Sequence, residues 1–441
     1  MLTCEPTFQQ ATRVRYGVLA FLCALAFVLY LDRLCMATAA VRIQNDLKLS
    51  NTEMGWIHGA FLLAYGLYEV PAGRWGDRYG SRGVLVRIVL CWSAFTALTG
   101  AATGMAVLFV IRFMFGAGEA GALPNAARVT CRWFPPVGRS MAQASINTAV
   151  LIGGIVAPPG TQRLMEILGW RWTFVIFGTL GVVWAIAFYF WFRDDPRKHP
   201  AVNEAELAII HGESPGGLSD ESHPSVPWGV VLRSRSMWLL GGVIACSAFA
   251  SYLYYSWYPT YLQKGRALSE RDAGLMTSVV LIGGALGCVL GGYLNDWLVK
   301  RTGQKRWTRR CLGSGGLGCA ALALLGSIHC DAVWSAVLLT SIASFSAMIQ
   351  LTTWWAVVTD ISGKHLGALF GLMNSMGVPG GFGSQIFFGA AADWRNDQGF
   401  IGRQQWDPAF NVYAIVLLLG AIGWLFIDTT RSIVDGHRAE G

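Results

Sequence analysis

Four charged side chains lie inside otherwise apolar stretches of the chain. The segment "IRFMFGAGEA" carries Arg112 and Glu119, and the segment "YLDRLCMA" carries Asp32 and Arg33. A guanidinium group grips a carboxylate through two parallel hydrogen bonds and stays charged in a low-dielectric site. A carboxyl group takes up a proton when burial disfavours its charged form. Together the four residues therefore offer an anion-binding site and a proton-binding site.

The spacing of these charges predicts how they face one another. Arg112 and Glu119 are two helical turns apart, so they lie on nearly the same helix face about 10 Å apart along the axis. This shared face favours an interaction between the two. Asp32 and Arg33 are adjacent and diverge by about 100°, so only one of them points straight into a central cavity. The alternative is that the four charges neutralise one another as a buried structural network.

The elements that position these charges are predicted to be membrane-spanning helices. The chain has 441 residues, of which 54% are hydrophobic and only 14% charged, a composition that excludes an ordinary soluble protein. Apolar runs of about 18 to 25 residues are long enough to cross about 30 Å of hydrocarbon as helices. Twelve such runs are predicted, at residues 16–34, 54–72, 84–102, 105–127, 141–164, 172–192, 238–258, 273–294, 311–328, 333–358, 366–392 and 410–427.

The distribution of positive charge predicts the topology. The net charge is +8, and with twelve spans most lysines and arginines fall on the side that carries both termini. Cytoplasmic loops have this excess of positive charge. We therefore expect a multi-pass protein of the inner (plasma) membrane with both termini in the cytoplasm, and we attribute the basic balance to topology rather than to a nucleic-acid partner.

A polar stretch rich in proline, glycine and serine divides the spans six plus six. It predicts an N-terminal six-helix bundle at residues 1–192, a cytoplasmic linker at 193–236 and a C-terminal six-helix bundle at 237–441. Within the linker, Asn203 followed by Glu206 predicts the start of a short surface helix. The segments "GRWGDRYGSR" and "GYLNDWLVKR" follow the second span of each half, which indicates an internal duplication.

The loop "GRWGDRYGSR" resembles the signature of the major facilitator superfamily. The match includes Gly73, Asp77, Arg78, Gly80 and Arg82. The resemblance implies an all-α fold of twelve transmembrane helices in two pseudo-symmetric bundles around a central cavity. It also implies a gating contact on the cytoplasmic side, for which the candidate residues are Asp77, Arg78, Arg128 and Arg139.

A second resemblance is to the anion:cation symporter branch of that superfamily. It lies in "GAGEAGALPNAARVTCRWFPPVGRS" (116–140), in "DRLCMA" and in "DDPRKHP". Bacterial members of this branch move sugar acids such as galactonate and hexuronates, and sialin-type animal relatives move sialate, glutamate and phosphate. The resemblance implies two sets of site residues: proton-coupling Asp32 and Glu119, and substrate-binding Arg33, Arg112, Tyr65, Asn374 and Trp354.

We therefore expect a secondary active transporter that imports a small organic anion, a sugar acid or another carboxylate, coupled to protons by alternating access. Sodium coupling, anion exchange and a non-transporting nutrient sensor are the alternatives. No nucleophile and base pair, metal-ligand spacing, CxxC motif or phosphate-binding loop stands out in the sequence, so we expect no enzyme activity, no metal and no cofactor apart from the coupling proton. We also expect a monomer in the lipid bilayer.

Overall fold

The computed structural model describes residues 10–211, 228–362 and 365–427, including all side chains there except those of residues 70, 73–79, 211 and 366–368. Every regular element in these ranges is a helix. The first half contains α1 (Val14–Leu47), α2 (Asn51–Tyr79), α3 (Ser81–Thr99), α4 (Met105–Glu119), α5 (Ala122–Trp133), α6 (Pro136–Trp191) and α7 (Glu204–His211). The second half contains α8 (Trp228–Arg233), α9 (Arg235–Tyr252), α10 (Tyr258–Lys264), α11 (Glu270–Thr302), α12 (Lys305–His329), α13 (Val333–Ile361), α14 (Leu366–Met376), α15 (Val378–Asp397) and α16 (Arg403–Phe426).

These helices supply the twelve spans predicted from the sequence. In the described part of the chain, nine helices are long and apolar enough to cross a membrane. One of them is the 56-residue α6, which contains two predicted spans and turns between them at Gly169, where φ is +76°. Glycine adopts this left-handed backbone without the cost that a Cβ atom would add. The more polar α2 and the α14–α15 pair supply the second and eleventh spans.

Several spans are not continuous α-helices. The fourth span changes from α4 to α5 at Gly121, where φ is +86°. The seventh span consists of α9, a π-helical turn (Leu253–Trp257) and α10. The predicted spans did not include these breaks, because apolar composition does not distinguish a continuous helix from an interrupted one.

Among the described residues, the two halves pack most tightly at one end of the bundle, and α2 also contacts the second half further along, at Gly66 and Glu69. We call the tightly packed end, where α1 ends and α2 begins, the distal end, and we call the end where α1 begins the terminal end. At the distal end α2 packs tightly on α15, because a Cβ atom at Gly55 would strike the backbone carbonyl of Gln385. Beside it α6 packs on α11, where Ser278 Oγ donates to the Ile155 carbonyl at 2.7 Å.

Toward the terminal end the halves separate. On α6, Met141 and Thr148 lie on the same face as Ile155, because each step of seven residues is two helical turns. Ile155 is half-buried against α11, whereas Met141 and Thr148 are exposed. The cavity between the halves is therefore sealed distally and opens toward the terminal end.

The predicted linker helix is confirmed as α7, and it is docked on the first half. Asn203 Oδ1 accepts a hydrogen bond from the backbone N–H of Glu206 at 2.9 Å, as an N-cap residue does. The Glu206 carboxylate caps a different helix: it accepts from the backbone N–H groups of Val14 and Arg15, each at 3.1 Å. Glu206 is completely buried. The first part of the linker is thus fixed to the start of α1.

Candidate functional site

The four charged residues meet on α1 and α4, beside the cavity between the two halves. Arg33 lines the cavity and forms an ion pair with Glu119, in which Arg33 Nε donates to Glu119 Oε1. The Glu119 side chain is only 1% exposed and that of Arg33 16%. The other carboxylate oxygen, Oε2, has no hydrogen-bond partner among the described residues. Glu119 is therefore held by one cation and keeps one oxygen unsatisfied.

This pairing differs from the one that helical spacing favours. Arg112 and Glu119 share a face of α4, yet Glu119 pairs across to α1. The Arg112 side chain instead packs on aromatic rings, with its guanidinium carbon 4.4 Å from the Phe115 ring centroid and 5.6 Å from that of Phe61. It is 3% exposed, and in the described part of the chain its Nε has no hydrogen-bond partner. Arg112 is thus a buried cation with an unsatisfied Nε–H among the described residues.

Asp32 points away from the cavity, as the angle between adjacent residues predicts. It is 1% exposed. One carboxylate oxygen lies 3.5 Å from Thr96 Oγ1 on α3, and within the described ranges the other has no partner. Of the adjacent pair, Arg33 therefore reaches the cavity, and Asp32 lies behind it.

Aromatic rings surround Arg33. Its guanidinium carbon is 4.7 Å from the centroid of the Tyr65 ring and 5.2 Å from those of Tyr30 and Phe61. A cation over an aromatic face gains about 0.5–2 kcal/mol, and more when water is excluded. These three rings restrict the orientation of the Arg33 guanidinium. Tyr65, which the family resemblance suggested, thus lies beside Arg33.

The second half completes the cavity with polar residues that the sequence analysis did not single out. The cavity has a volume of about 70 Å³, and its lining from this half consists of Tyr252, Tyr255, Ser256 and Gln385. Three of these residues lie in or next to the π-helical turn Leu253–Trp257. Such turns occur often at functional sites, because the extra residue redirects side chains. The tyrosine-rich segment "SYLYYSW" is the sequence signal that could have found them.

His58 also lines the cavity from α2. It is 5% exposed, and its ring stacks edge-on against Trp257 at 5.6 Å between centroids. Its Nε2 has no hydrogen-bond partner among the residues described. In the sequence, His58 is a single histidine in an apolar run and has no metal-ligand spacing that marks it. In the described ranges no three histidine, cysteine, aspartate or glutamate residues form a group that could hold a metal.

Two further predicted binding residues lie elsewhere in the second half. Asn374 Nδ2 on α14 donates to the two carboxylate oxygens of Glu69 on α2, at 3.2 and 3.4 Å. Trp354 on α13 is 2% exposed and stacks on Phe370, with 5.4 Å between ring centroids. Trp354 is not part of the cavity lining. Asn374 thus connects the two halves, whereas Trp354 packs within the second half.

The candidate gating residues are only partly described. Arg139 donates to the backbone carbonyls of Phe134 and Cys131, at 3.1 and 2.9 Å, and so caps the end of α5. Arg128 lies on the same helix. The side chains of Asp77 and Arg78 lie outside the described part of the structure, so the contact expected between Asp77 and a basic residue stays a prediction.

Comparisons with known proteins give one family. The model of the Major Facilitator Superfamily matches residues 22–385. The chain is 30% identical over 426 residues to a probable sulfoacetate transporter of Cupriavidus necator, covering 96% of each chain. It is 32% identical to a probable galactarate/D-glucarate transporter of Bacillus subtilis, covering 83% of each. A bacterial homolog to the human lysosomal transporter Spinster, solved in an inward-facing and unoccupied conformation, has the same fold, with a TM-score of 0.81, 20% identity and coverage of 95% and 98%.

Proposed function

The chain belongs to the Major Facilitator Superfamily, and from this membership we propose that it carries a small organic anion across the membrane, coupled to protons by alternating access. The observation that carries the proposal is the arrangement of Arg33, Arg112 and Glu119 beside one cavity between the two halves. The family and the relatives are transporters rather than enzymes. The proposal assigns a cargo, a driving ion and a mechanism to this transporter.

Arg112 is the primary anion-binding residue in this proposal. A charge near the middle of a spanning helix costs about 2.5–3.5 kcal/mol, so it is expected to face a partner or a watery cavity. The Arg112 guanidinium is 3% exposed and packs on Phe61 and Phe115 rather than on a carboxylate. An incoming carboxylate or sulfonate supplies the missing negative charge and accepts hydrogen bonds from the guanidinium fork. Aromatic faces on either side keep the fork in one orientation.

Glu119 is the proton-coupling residue, and Arg33 is the group that it controls. While Glu119 is ionised, its carboxylate forms an ion pair with the Arg33 guanidinium, which is then not available to the anion. When Glu119 takes up a proton, the ion pair is lost and Arg33 turns to the anion, still held by the rings of Tyr30, Phe61 and Tyr65. The anion and the proton therefore enter the cavity together, because binding one removes the obstacle to binding the other.

Charge balance supports the same coupling. With Arg33, Arg112, Asp32 and Glu119 all ionised, the four side chains sum to zero, and a bound monoanion leaves one negative charge uncompensated. A poorly solvated site disfavours an uncompensated charge. One proton on a carboxylate restores neutrality. Asp32, which is buried behind Arg33 with one unsatisfied oxygen, is the candidate for a second proton.

The proposed cargo is a small acid with hydroxyl groups or a second polar group. Opposite the arginines, the cavity presents the polar groups of Tyr252, Tyr255, Ser256 and Gln385, which can hydrogen-bond a polar body. Relatives named for sulfoacetate and for galactarate or D-glucarate move acids of this kind. Each of these acids carries two acid groups, and one carboxylate or sulfonate is enough to bind the fork of an arginine.

The one-sided closure of the bundle supports the proposal of alternating access. Because most lysines and arginines lie at the terminal end, we assign that end to the cytoplasm. The cavity then opens inward, and the distal contacts close the outer side. In the outward-facing state these distal contacts break, and a latch that includes Asp77 closes the cytoplasmic side. Two closed ends that alternate around one fixed site are the basis of transport by this fold.

Binding and transport measurements test the proposal. The purified protein is heated with sulfoacetate, galactarate, D-glucarate, galactonate and a set of aromatic acids, and the cargo is expected to raise its melting temperature. The same acid should accumulate in proteoliposomes under an imposed proton gradient. Accumulation that requires sodium, or exchange with no accumulation, would replace proton coupling with one of the alternatives. Stabilisation without any flux would indicate a sensor.

A further inference from the structure

Glu69 is a third carboxylate on the path between the cavity and the terminal end. It lies on α2, one helical turn beyond Tyr65, and is half-buried. Asn374 Nδ2 on α14 donates to both of its oxygens, at 3.2 and 3.4 Å. Its neighbours Leu67 and Tyr68 are 60% and 42% exposed. Glu69 therefore lies where the closed interior meets the open end of the bundle.

A short series of neighbouring side chains leads from the anion site to Glu69. Arg33 is ion-paired with Glu119 on one side and lies over the Tyr65 ring on the other, 4.7 Å from its centroid. Tyr65 and Glu69 are one helical turn apart on the same face of α2. The series runs Glu119, Arg33, Tyr65, Glu69, from the buried carboxylate to the one nearest the opening.

The groups that face Glu69 come from four helices. They are Arg33 from α1, Tyr65 from α2, Tyr252 from α9 and the neutral Asn374 from α14. Arg33 is the only cation among them, and it is already engaged by Glu119. An ionised Glu69 thus has no cation of its own among these described residues and competes with Glu119 for Arg33.

Asn374 suits a carboxyl group that changes its protonation state. Its amide nitrogen donates to the ionised carboxylate, and its amide oxygen accepts from the protonated acid after rotation of the side chain. A lysine or arginine at this position would hold Glu69 in its charged form through the whole cycle. The neutral amide keeps a contact between the two halves in either form.

We propose that Glu69 binds and releases a proton in each transport cycle, in addition to the proton carried on Glu119. This rests on the proposed function. With Glu69 included, Arg33 and Arg112 face three carboxylates, Asp32, Glu119 and Glu69, and the ionised site has a net charge of −1. A bound monoanion brings it to −2, so the loaded site is neutral only when it carries two protons. Glu69 supplies the second in place of Asp32, which lies behind Arg33 and away from the cavity, and passes it to water at the terminal end.

The test measures how many protons are transported with each anion. Wild-type protein, Glu69→Gln and Glu69→Ala are placed in proteoliposomes with the membrane potential clamped at zero and a pH gradient of about one unit. D-galactonate and L-galactonate, which are monoanions at neutral pH, are the probes. Each coupled proton then multiplies the equilibrium accumulation ratio about tenfold, so both variants should accumulate the transported probe about tenfold less than wild type. Substrate exchange without a gradient should remain.

Glu166→Gln is the matched control, because Glu166 is a carboxylate of α6 at the distal end, paired with Arg163 at 3.2 Å. It should leave the accumulation ratio at the wild-type value. Glu69 variants that accumulate as strongly as wild type would overturn the assignment of Glu69 and leave the proposed function standing. A wild-type protein that accumulates neither probe under the gradient would contradict the proposed function and, with it, this proposal.

Discussion

Glu119 is ion-paired with Arg33 on the neighbouring helix α1 and not with Arg112, two turns away on its own helix. The two arginines therefore have different surroundings: Arg33 is paired with a carboxylate, whereas Arg112 packs against aromatic rings. In the proposed function, a proton on Glu119 releases Arg33, and Arg112 binds the anion. Mutations at the three positions should separate anion binding from proton coupling.

Arg112→Lys should weaken anion binding. The ammonium keeps the charge but not the planar fork, and a hydrogen bond to a charged group contributes about 1.5–3 kcal/mol. We expect affinity to fall about tenfold or more, measured by calorimetric titration of the purified protein with its transported acid. Arg163→Lys, an exposed arginine of α6, is the control. Wild-type affinity in a folded Arg112→Lys protein would contradict the role of Arg112.

Glu119→Gln should uncouple transport from the proton gradient. Glutamine mimics the protonated acid and leaves Arg33 without an ionic partner, so the anion site stays complete. We expect binding and substrate-for-substrate exchange near wild type, with uphill accumulation lost. Both are measured in the same proteoliposomes. Continued proton-driven accumulation in this variant would exclude Glu119 as the coupling residue and favour the structural-network interpretation of the four charges.

Asp393→Ala should open the distal end. From α15 in the second half, Asp393 accepts from the backbone and side chain of Thr52, at 2.7 and 2.6 Å, and from Asn51 Nδ2 at 2.7 Å, and so caps α2 in the first half. Losing hydrogen bonds to a charged group costs about 1.5–3 kcal/mol, enough to shift a two-state population about tenfold. Spin labels at Glu166→Cys and Arg271→Cys should report longer distances.

Asp397→Asn is the control for this variant, because Asp397 is exposed one turn further along the same helix. It should leave the distance distribution unchanged. An identical distribution in the Asp393→Ala protein would mean that the distal contacts do not determine which end is closed.

Asp77→Asn should shift the population in the opposite direction. If Asp77 latches the terminal end in the outward-facing state, the variant should favour the inward-open state and slow turnover more than it changes affinity. Labels at Met141→Cys and Tyr293→Cys, on α6 and α11 near that end, should then report a larger share of long distances. A shift toward short distances would reverse the assignment.

Glu206→Ala should lower thermal stability without changing anion affinity. The buried carboxylate accepts from Thr12 Oγ1 at 2.6 Å and from two backbone N–H groups at the start of α1. Removing it leaves those donors unsatisfied, at a cost of about 1–3 kcal/mol. The melting temperature of the purified protein is the measurement, with Glu204→Ala in the same short helix as the control. Equal melting temperatures would indicate that the linker helix does not stabilise α1.

The spans and the charged residues could be predicted from the sequence, because both depend on properties of single segments. An 18-residue apolar run or a lone arginine within it is visible without a neighbour. The partner of Glu119 could not be predicted, because it depends on how α1 and α4 lie against each other. Tyr252 and Tyr255 were missed because a tyrosine in a span is usually packing, and only the π-helical turn shows that they reach the cavity.

Glu69 was missed for a different reason. It lies three residues before the end of the predicted span 54–72, where a charged side chain is usually interpreted as part of the polar membrane border. Only the contact with Asn374, 305 positions away, shows that it lies between the two halves. Pairs of this separation are a property of the folded chain rather than of any segment.

The π-helical turn sets the helical phase of the residues that follow it. Its extra residue rotates α10 by about 100° relative to an uninterrupted α-helix, and in this phase Lys264 Nζ donates to Gln44 at 2.9 Å and to Asn51 at 3.1 Å, across the distal end. Deleting Ser256 to restore α-helical geometry would turn Lys264 away from both. The extra residue of the π-helical turn thus determines both the position of the cavity-lining tyrosines and the contact of Lys264 at the distal end.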